Sequence, residues 1–235
     1  MKQGAFLQAK VSLALIGRFI AHSKSPQIYQ QIIGPGVKYD LIDRDHGNLL
    51  PSLEELFEKY DGISITAPYK KHYINHVEML DEYSTIGVNC IRKRRGQFEG
   101  ILSDAPALKF YLDQYLQLYS KYPIILLGNG AMAELVRFFL SKMNLSYTQY
   151  SRSLGYSMRG FKLDLSPMLI INTCSRDYVF EGRLHPQSVF WDLNYDFSPH
   201  VFLKHQCTYL DGMGMLLKQA EYSVNFWFNW AKISP

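Results

Sequence analysis

The chain has 235 residues, 47% hydrophobic and 20% charged, enough for one large domain or two small ones with real cores. A net charge of +4 with no long like-charge block gives no nucleic-acid arm, and the cluster Arg92-Lys93-Arg94-Arg95 before Gly96 reads as a solvated hairpin tip. Three cysteines (Cys90, Cys174, Cys207), far apart and in no C-x-x-C pair, argue against a disulfide framework or structural zinc, and no apolar run approaches the ~18 residues that span a bilayer.

Short apolar strands alternate with amphipathic helices, which predicts an α/β fold. Val11 to Gly17 is the first strand. A helix is expected from Pro26, with Ser25 as N-cap and proline in the first turn. Val37 to Ile42 reads as a strand, and Leu53 to Tyr60 as a helix with Leu53, Leu56 and Phe57 on one face. Gly62 to Thr66 alternates as a strand up to Pro68. A helix is expected over His72 to Tyr83, then strands from Gly87 to Arg92 and from the Gly96 turn to Leu102. The pattern restarts near Asp104 to Pro106, the expected domain boundary. Ala107 to Leu118 is a helix, and Ile124 to Leu127 has the apolar density of a buried parallel strand. A helix to about Met143 follows, then strands at Tyr147–Tyr150, Met168–Asn172 and Val189–Leu193, and an apolar helix from Gly214 to Trp230. Met1 to Lys10 lacks an apolar signal core with a small-residue cleavage site, so the expected compartment is the reducing cytoplasm.

Gly128-Asn129-Gly130-Ala131-Met132-Ala133 follows a strand and opens a helix, the context that a dinucleotide fingerprint requires. Gly128 permits the tight turn, Gly130 lets backbone approach a pyrophosphate, and Ala133 lets helix and sheet pack closely. The alternative is a glycine-rich turn that binds nothing. About twenty residues beyond Gly130, where an acidic residue would select NAD, stand Ser151-Arg152-Ser153, which suit the 2′-phosphate of NADP. Arg159 is a second candidate cation.

In the first half, Ala21-His22-Ser23-Lys24-Ser25-Pro26 places two hydroxyls at a helix start. That is a candidate carboxylate site, although Ser25 as a plain cap explains part of it. This A-H-S-K-S-P stretch, with several later ones in order, resembles the shikimate dehydrogenase family. Ser64-Ile65-Thr66-Ala67-Pro68-Tyr69-Lys70 is similar to the family's Asn-Val-Thr-x-Pro-x-Lys. Gly87-Val88-Asn89-Cys90 resembles Ala-Val-Asn-Thr, and Gly100 to Asp104 resembles Gly-x-Asn-Thr-Asp. Asp192-Leu193-Asn194-Tyr195 resembles Asp-x-x-Tyr, and Asp211-Gly212-Met213-Gly214-Met215-Leu216 with Gln219 resembles Asp-Gly-x-Gly-Met-Leu-x-x-Gln.

The resemblance implies two α/β domains around a cleft. Residues 1–105 with 212–235 would be the substrate-binding domain and 106–211 a shortened Rossmann domain, the C-terminal helix returning to the first. It implies an NADPH-dependent oxidoreductase that reduces 3-dehydroshikimate to shikimate in aromatic amino acid biosynthesis, as a monomer or homodimer without nucleic-acid or membrane partners. Lys70 and Asp104 would be catalytic: a hydride reaching a carbonyl carbon leaves charge on oxygen that a positioned proton donor must meet. Ser23 and Ser25 would hold the substrate carboxylate, and Thr66, Asn89 and Gln219 its oxygens. Tyr195 would close the cleft. Gly212 joins the nucleotide set of Gly128 to Ala133 and Ser151 to Ser153. Singly, Lys70 and Asp104 read as solvated charges, and Asn89 and Gln219 as structural amides.

Three departures bear on this reading. Ser64 replaces an asparagine, Leu102-Ser103 replace Asn-Thr, and Asn172-Thr173-Cys174-Ser175-Arg176-Asp177 lacks the glycine and methionine of Asn-Ala-Thr-x-x-Gly-Met. They fit a trimmed enzyme, a relative acting on quinate or another hydroxy acid, or a binding protein without turnover. His72 and His76 stand i, i+4, but no H-E-x-x-H pattern or third ligand accompanies them, so a pair of surface histidines is expected and no metal.

Overall fold

The structure is a computed structural model that describes residues 10–156 and 166–229. Arg159 and Trp230 lie outside the described residues. The first elements are β1 (Ser12–Gly17), α1 (Ser25–Ile33), β2 (Lys38–Asp43), α2 (Leu53–Phe57) and β3 (Gly62–Ile65). Next come β4 (Glu78–Met79), β5 (Cys90–Arg94), β6 (Gln97–Ile101) and α3 (Asp104–Leu118). The second half holds β7 (Ile124–Leu127), α4 (Ala131–Lys142), β8 (Thr148–Tyr150), β9 (Leu169–Asn172), β10 (Val189–Asp192), β11 (Thr208–Leu210) and α5 (Met213–Phe228). The chain divides into two compact units, one of residues up to Ala107 and from Leu217 onward, the other Leu108–Leu216. It passes from one to the other inside α3 and again inside α5.

The first unit is built on a mixed sheet of order β2-β1-β3-β5-β6-β4. β1 pairs parallel with β2 and β3, whereas β5 is antiparallel to β3 and β6. Side chains alternate across a strand. Ala14, Ile16, Ile63 and Ile65 therefore share one face, where they pack on Leu53, Leu56, Tyr69 and Tyr73. Ser64 points to the other face, beside α1 and α5. There the Trp227 indole donates to the Ile91 carbonyl at 2.9 Å and packs 5.4 Å from the Tyr29 ring.

The second unit carries an all-parallel sheet of order β11-β10-β9-β7-β8. β7, β9 and β10 are buried throughout, as strands covered on both faces must be. Ile125, Leu127, Ile170 and Phe190 meet Phe180 and Leu203 on one side, and Trp191 meets Tyr115 of α3 on the other. No helix among the described residues is long and apolar enough to cross a membrane.

Several expected elements are corrected. The stretch His72 to Tyr83 is not a helix: 3-10 turns at Tyr69–Lys71 and Ile74–His76 lead into β4. Tyr69, Tyr73 and Val77 imitate a helical stripe by their spacing and do pack into the core. The two tyrosine hydroxyls, however, are drawn to the Arg44 and Pro51 carbonyls at 2.6 and 2.7 Å, which holds the chain in separate turns. His72 and His76 therefore share no helix face. Ser25 is not the N-cap: α1 begins at Ser25 itself after Lys24, and the Ser23 hydroxyl accepts the Ser25 N–H at 3.2 Å. Arg92 is no part of a solvated tip, since it is buried against Glu99 at 2.5 Å and lies 4.2 Å over the Phe226 ring. β11 and the 3-10 stretch Ser198–His205 had no sequence signal.

Candidate active site

In the first unit, the Lys70 ammonium meets Asp104 Oδ2 at 2.7 Å, with the two side chains only 11% and 13% exposed. Lys70 sits in the 3-10 turn after β3, and Asp104 is the first residue of α3, where the partial positive charge of a helix start favours a carboxylate. Position 87 fixes how closely these segments approach. A Cβ on Gly87 would stand 2.9 Å from Lys70 Cβ, and its φ of +154° is one that glycine alone adopts readily. The Val88 N–H then bonds the Lys70 carbonyl at 2.8 Å.

Ser103, next to Asp104, ties the flanking amides together. Its N–H donates to Asn89 Oδ1 at 2.6 Å, and its hydroxyl lies 3.2 Å from the same oxygen, 3.3 Å from Gln219 Oε1 and 2.9 Å from the Ser223 hydroxyl. An N–H can only donate, so Asn89 presents Oδ1 to Ser103 and keeps Nδ2 for another partner. Ser103, in place of the family's threonine, keeps the hydroxyl and fixes the Asn89 amide through its N–H, while the asparagine beside it is replaced by the buried, apolar Leu102. The departure at Ser64 is answered by a side chain from β2, because the Tyr39 hydroxyl donates to Ser64 Oγ at 3.1 Å. Tyr39 stacks on Tyr29 with ring centroids 4.8 Å apart. Burial raises both phenols, and Ser25 beside Tyr39 and Ser64, Gln219 and Ser223 beside Tyr29 counter part of that rise. The Tyr29 hydroxyl is fully buried, and among the described residues none reaches it in good hydrogen-bond geometry.

The first unit thus gathers Lys70, Asp104, Asn89 and Gln219 around Ser103, and Ser25 beside Tyr39. Ser23 bonds Ser25 at 3.1 Å, and Thr66 follows β3, its N–H on the Ile16 carbonyl. Ser223, Tyr29 and Tyr39 were not singled out from sequence, and Ser103 was noted only as a departure from the family pattern. Cys90, where the family has threonine, is fully buried and its thiol is held well above the usual range by that burial.

In the second unit, the turn after β7 has the shape its glycines foretold. Gly128 has φ +106°, and a Cβ there would lie 2.5 Å from Thr173 Oγ1. No atom of the described residues lies within 4 Å of a Cβ placed on Gly130, which leaves backbone open to a ligand at that point. α4 then starts with Gly130 as N-cap and no side-chain cap; Ala131 and Met132 are its first residues and Ala133 is fully buried. Asn129 joins the turn to the loop after β8: its Nδ2 donates to Ser153 Oγ at 2.9 Å, and Ser153 lies 3.1 Å from Ser151 Oγ. Arg152 is exposed in the 3-10 turn Arg152–Leu154. These residues fit a dinucleotide phosphate: open backbone, a helix start without a side-chain cap, and an exposed cation.

Gly212 packs where no side chain fits, a Cβ there falling 2.2 Å from the Leu193 carbonyl oxygen. Tyr195 sits in the loop after β10. That loop hangs on buried Asp192, which accepts from the Asn194 N–H and from Asn172 Nδ2 at 3.0 Å each. His200 Nε2 accepts the Phe180 N–H at 2.8 Å, so Nδ1 carries the ring proton and donates it to Asp192 at 2.5 Å. Arg176, at the third departure, donates to the Tyr195 and Asp196 carbonyls at 2.7 and 3.0 Å. An arginine thus steadies the Tyr195 loop from the segment that lacks the family's glycine and methionine. Tyr195 and the glycine turn belong to the second unit and the Lys70 cluster to the first.

A mixed-sheet unit bearing a buried Lys–Asp pair, joined to a parallel-sheet unit bearing a Gly-x-Gly-x-x-Ala turn, defines a two-unit α/β protein of Rossmann type. Residues 15–91 match the shikimate dehydrogenase substrate binding domain. The chain is 24% identical to the shikimate dehydrogenase (NADP(+)) of Saccharolobus solfataricus, over 92% of this chain and 88% of that protein. Its identity to the protein of the same name from Methanococcus vannielii is also 24%, over 92% and 91%. In fold it is similar to shikimate dehydrogenase 1 of Peptoclostridium difficile, with a TM-score of 0.68, 19% identity and coverage of 93% and 92%. Residues 15–91 thus match the family's substrate binding domain, and over most of its length the chain is similar to shikimate dehydrogenases.

Proposed function

We propose that this chain is an NADP-dependent shikimate dehydrogenase, reducing the ketone of 3-dehydroshikimate to the alcohol of shikimate. The observation that carries the reading is the Lys70–Asp104 pair at 2.7 Å, largely shielded from water and flanked by the Asn89 amide, whose orientation Ser103 sets. Bound NADPH supplies the hydride. Lys70 stands as the proton donor to the oxygen that becomes negative, and Asp104 orients its ammonium and accepts from a substrate hydroxyl. The Nδ2 of Asn89, left over from its bond to Ser103, donates to a substrate oxygen, and Gln219 and Thr66 serve the remaining ones. Ser23 and Ser25 hold the carboxylate. Tyr195 is the remaining residue assigned to the substrate.

We assign substrate binding to residues 1–105 with 212–235 and nucleotide binding to 106–211. In the latter, Gly128 to Ala133 receive the pyrophosphate and Ser151, Arg152 and Ser153 the 2′-phosphate, and Gly212, just beyond that range, joins the nucleotide-binding set. The three unpaired cysteines suit a reducing cytoplasm, where the protein works as a monomer or homodimer.

The test follows NADPH absorbance with 3-dehydroshikimate, and NADP reduction with shikimate and with quinate. Turnover with shikimate above quinate is expected. Lys70→Ala should lower kcat by roughly 10²–10⁴-fold with nucleotide affinity kept. Preference for quinate, or ligand binding without turnover in the native protein, would refute the assignment.

A further inference from the structure

We infer that Arg137, on the second turn of α4, is a specificity-determining residue that completes the 2′-phosphate subsite together with Arg152. The inference rests on the NADP reading above and names a residue to which no sequence signal pointed.

A helical side chain leans toward the N-terminus of its helix. Arg137 therefore reaches back along α4 to the glycine turn, where its Nη1 donates to Asn129 Oδ1 at 2.7 Å. The same oxygen accepts from Gln149 Nε2 at 3.3 Å, and Gln149 also donates to the Gly128 carbonyl at 2.7 Å. With Oδ1 engaged by two donors, the Asn129 amide must turn Nδ2 toward Ser153, as it does at 2.9 Å. Arg137, Asn129, Ser153 and Ser151 form one continuous chain from α4 to the loop after β8.

One N–H of the Arg137 fork is used in that chain. Its other donors meet no carboxylate among the described residues, and the guanidinium is only half-buried. Arg152, flanked by Ser151 and Ser153, likewise meets no carboxylate among the described residues and is close enough to Cys174 to influence its thiol. Two arginines that meet no carboxylate among the described residues thus attach to the same serine loop, one within it and one through Asn129. A doubly charged monoester on a ribose that meets this loop would take charge-assisted bonds from both forks and from the Ser151 or Ser153 hydroxyl. A free 2′-hydroxyl would gain little from either cation. Arg137 therefore acts on the choice between the two nucleotides rather than on hydride transfer.

The experiment measures binding of adenosine 2′,5′-bisphosphate and of 5′-AMP to the full chain by calorimetry at fixed salt. The probes are the native protein, Arg137→Gln and Arg152→Gln. Native protein should prefer the bisphosphate. Arg137→Gln should weaken the bisphosphate on the order of tenfold and 5′-AMP less than twofold, with an unchanged melting temperature. Arg137→Lys should restore part of the loss. Equal weakening of both ligands would mean that Arg137 only props Asn129, and unchanged bisphosphate binding would leave the charge to Arg152 alone; either overturns the inference. A native protein blind to the 2′-phosphate would overturn the NADP reading and this inference with it, whereas a preference that survives Arg137→Gln removes only the latter.

Discussion

Replacing Gly87 with alanine tests whether the site depends on how closely two backbones approach. The added Cβ would stand 2.9 Å from Lys70 Cβ and 3.0 Å from the Lys70 carbonyl oxygen. Carbon atoms rest about 3.5–4.0 Å apart, so Lys70 must retreat by roughly 0.6–1 Å. The alternative is to keep the position at φ +154°, which costs a side-chain-bearing residue about 1–3 kcal/mol. Retreat would also stretch the 2.8 Å bond from the Val88 N–H and carry the ammonium away from Asp104. A displacement of about 1 Å at a reacting group costs on the order of 10²-fold in rate. The variant should therefore lose roughly 10–100-fold in kcat in the NADPH absorbance assay. A loss of about 2 kcal/mol should lower the melting temperature by roughly 4–8 °C. NADPH affinity should stay unchanged, because the glycine turn belongs to the other unit. Native kcat in a variant that melts early would refute the reasoning, since the approach would then serve stability alone.

Three further outcomes follow from the same geometry. Ser103→Ala keeps the N–H bond to Asn89 but strips the hydroxyl from Gln219 and Ser223, and should cost about 1–3 kcal/mol in urea unfolding with a severalfold rise in the substrate KM. Tyr29→Phe removes a buried hydroxyl that none of the described residues reaches in good hydrogen-bond geometry, and should leave unfolding stability unchanged or raise it by about 1 kcal/mol. Burial pushes Cys174 up to about 12 and Cys207 to about 11, so at pH 8 their thiolate fractions are roughly 10⁻⁴ and 10⁻³ against about a quarter for a free cysteine, and iodoacetamide should label them only after unfolding. The sign for stability follows: unfolded thiols lose protons from about pH 8.5 and folded ones much later, so these groups stabilise the fold below that pH and the contribution falls as pH rises toward 11–12.

What the sequence disclosed follows the range of the interactions. The turn at Gly128 was legible because strand, glycines and helix are contiguous and each has a local steric reason. The buried run at Ile124–Leu127 was legible because a parallel strand covered on both faces has no polar position. His72 to Tyr83 misled because spacing reports which residues face the core and not which hydrogen bonds hold them there. Two tyrosine hydroxyls capturing carbonyls some twenty residues away leave no trace in local periodicity.

Residue roles were harder to read than elements, because a role depends on partners. Ser103 looked like a minor change, a serine for a threonine beside the amide lost at Leu102, when compared position by position. It became the hub of the site only when Asn89, 14 residues away, and Gln219, 116 residues away, were seen to meet it. Ser64 looked shortened until Tyr39 from the neighbouring strand was found filling the gap. Arg137 offered nothing to sequence reading, since an arginine in the middle of an amphipathic helix is ordinarily a solvated charge; its backward lean onto Asn129 is a property of helical side chains that only coordinates reveal. A substituted motif position is thus not by itself a lost function. Only the bonds its neighbours make in compensation decide that, and here the changes at Ser64 and in the Asn172–Asp177 segment are each met by a hydrogen bond that a position-by-position reading could not contain.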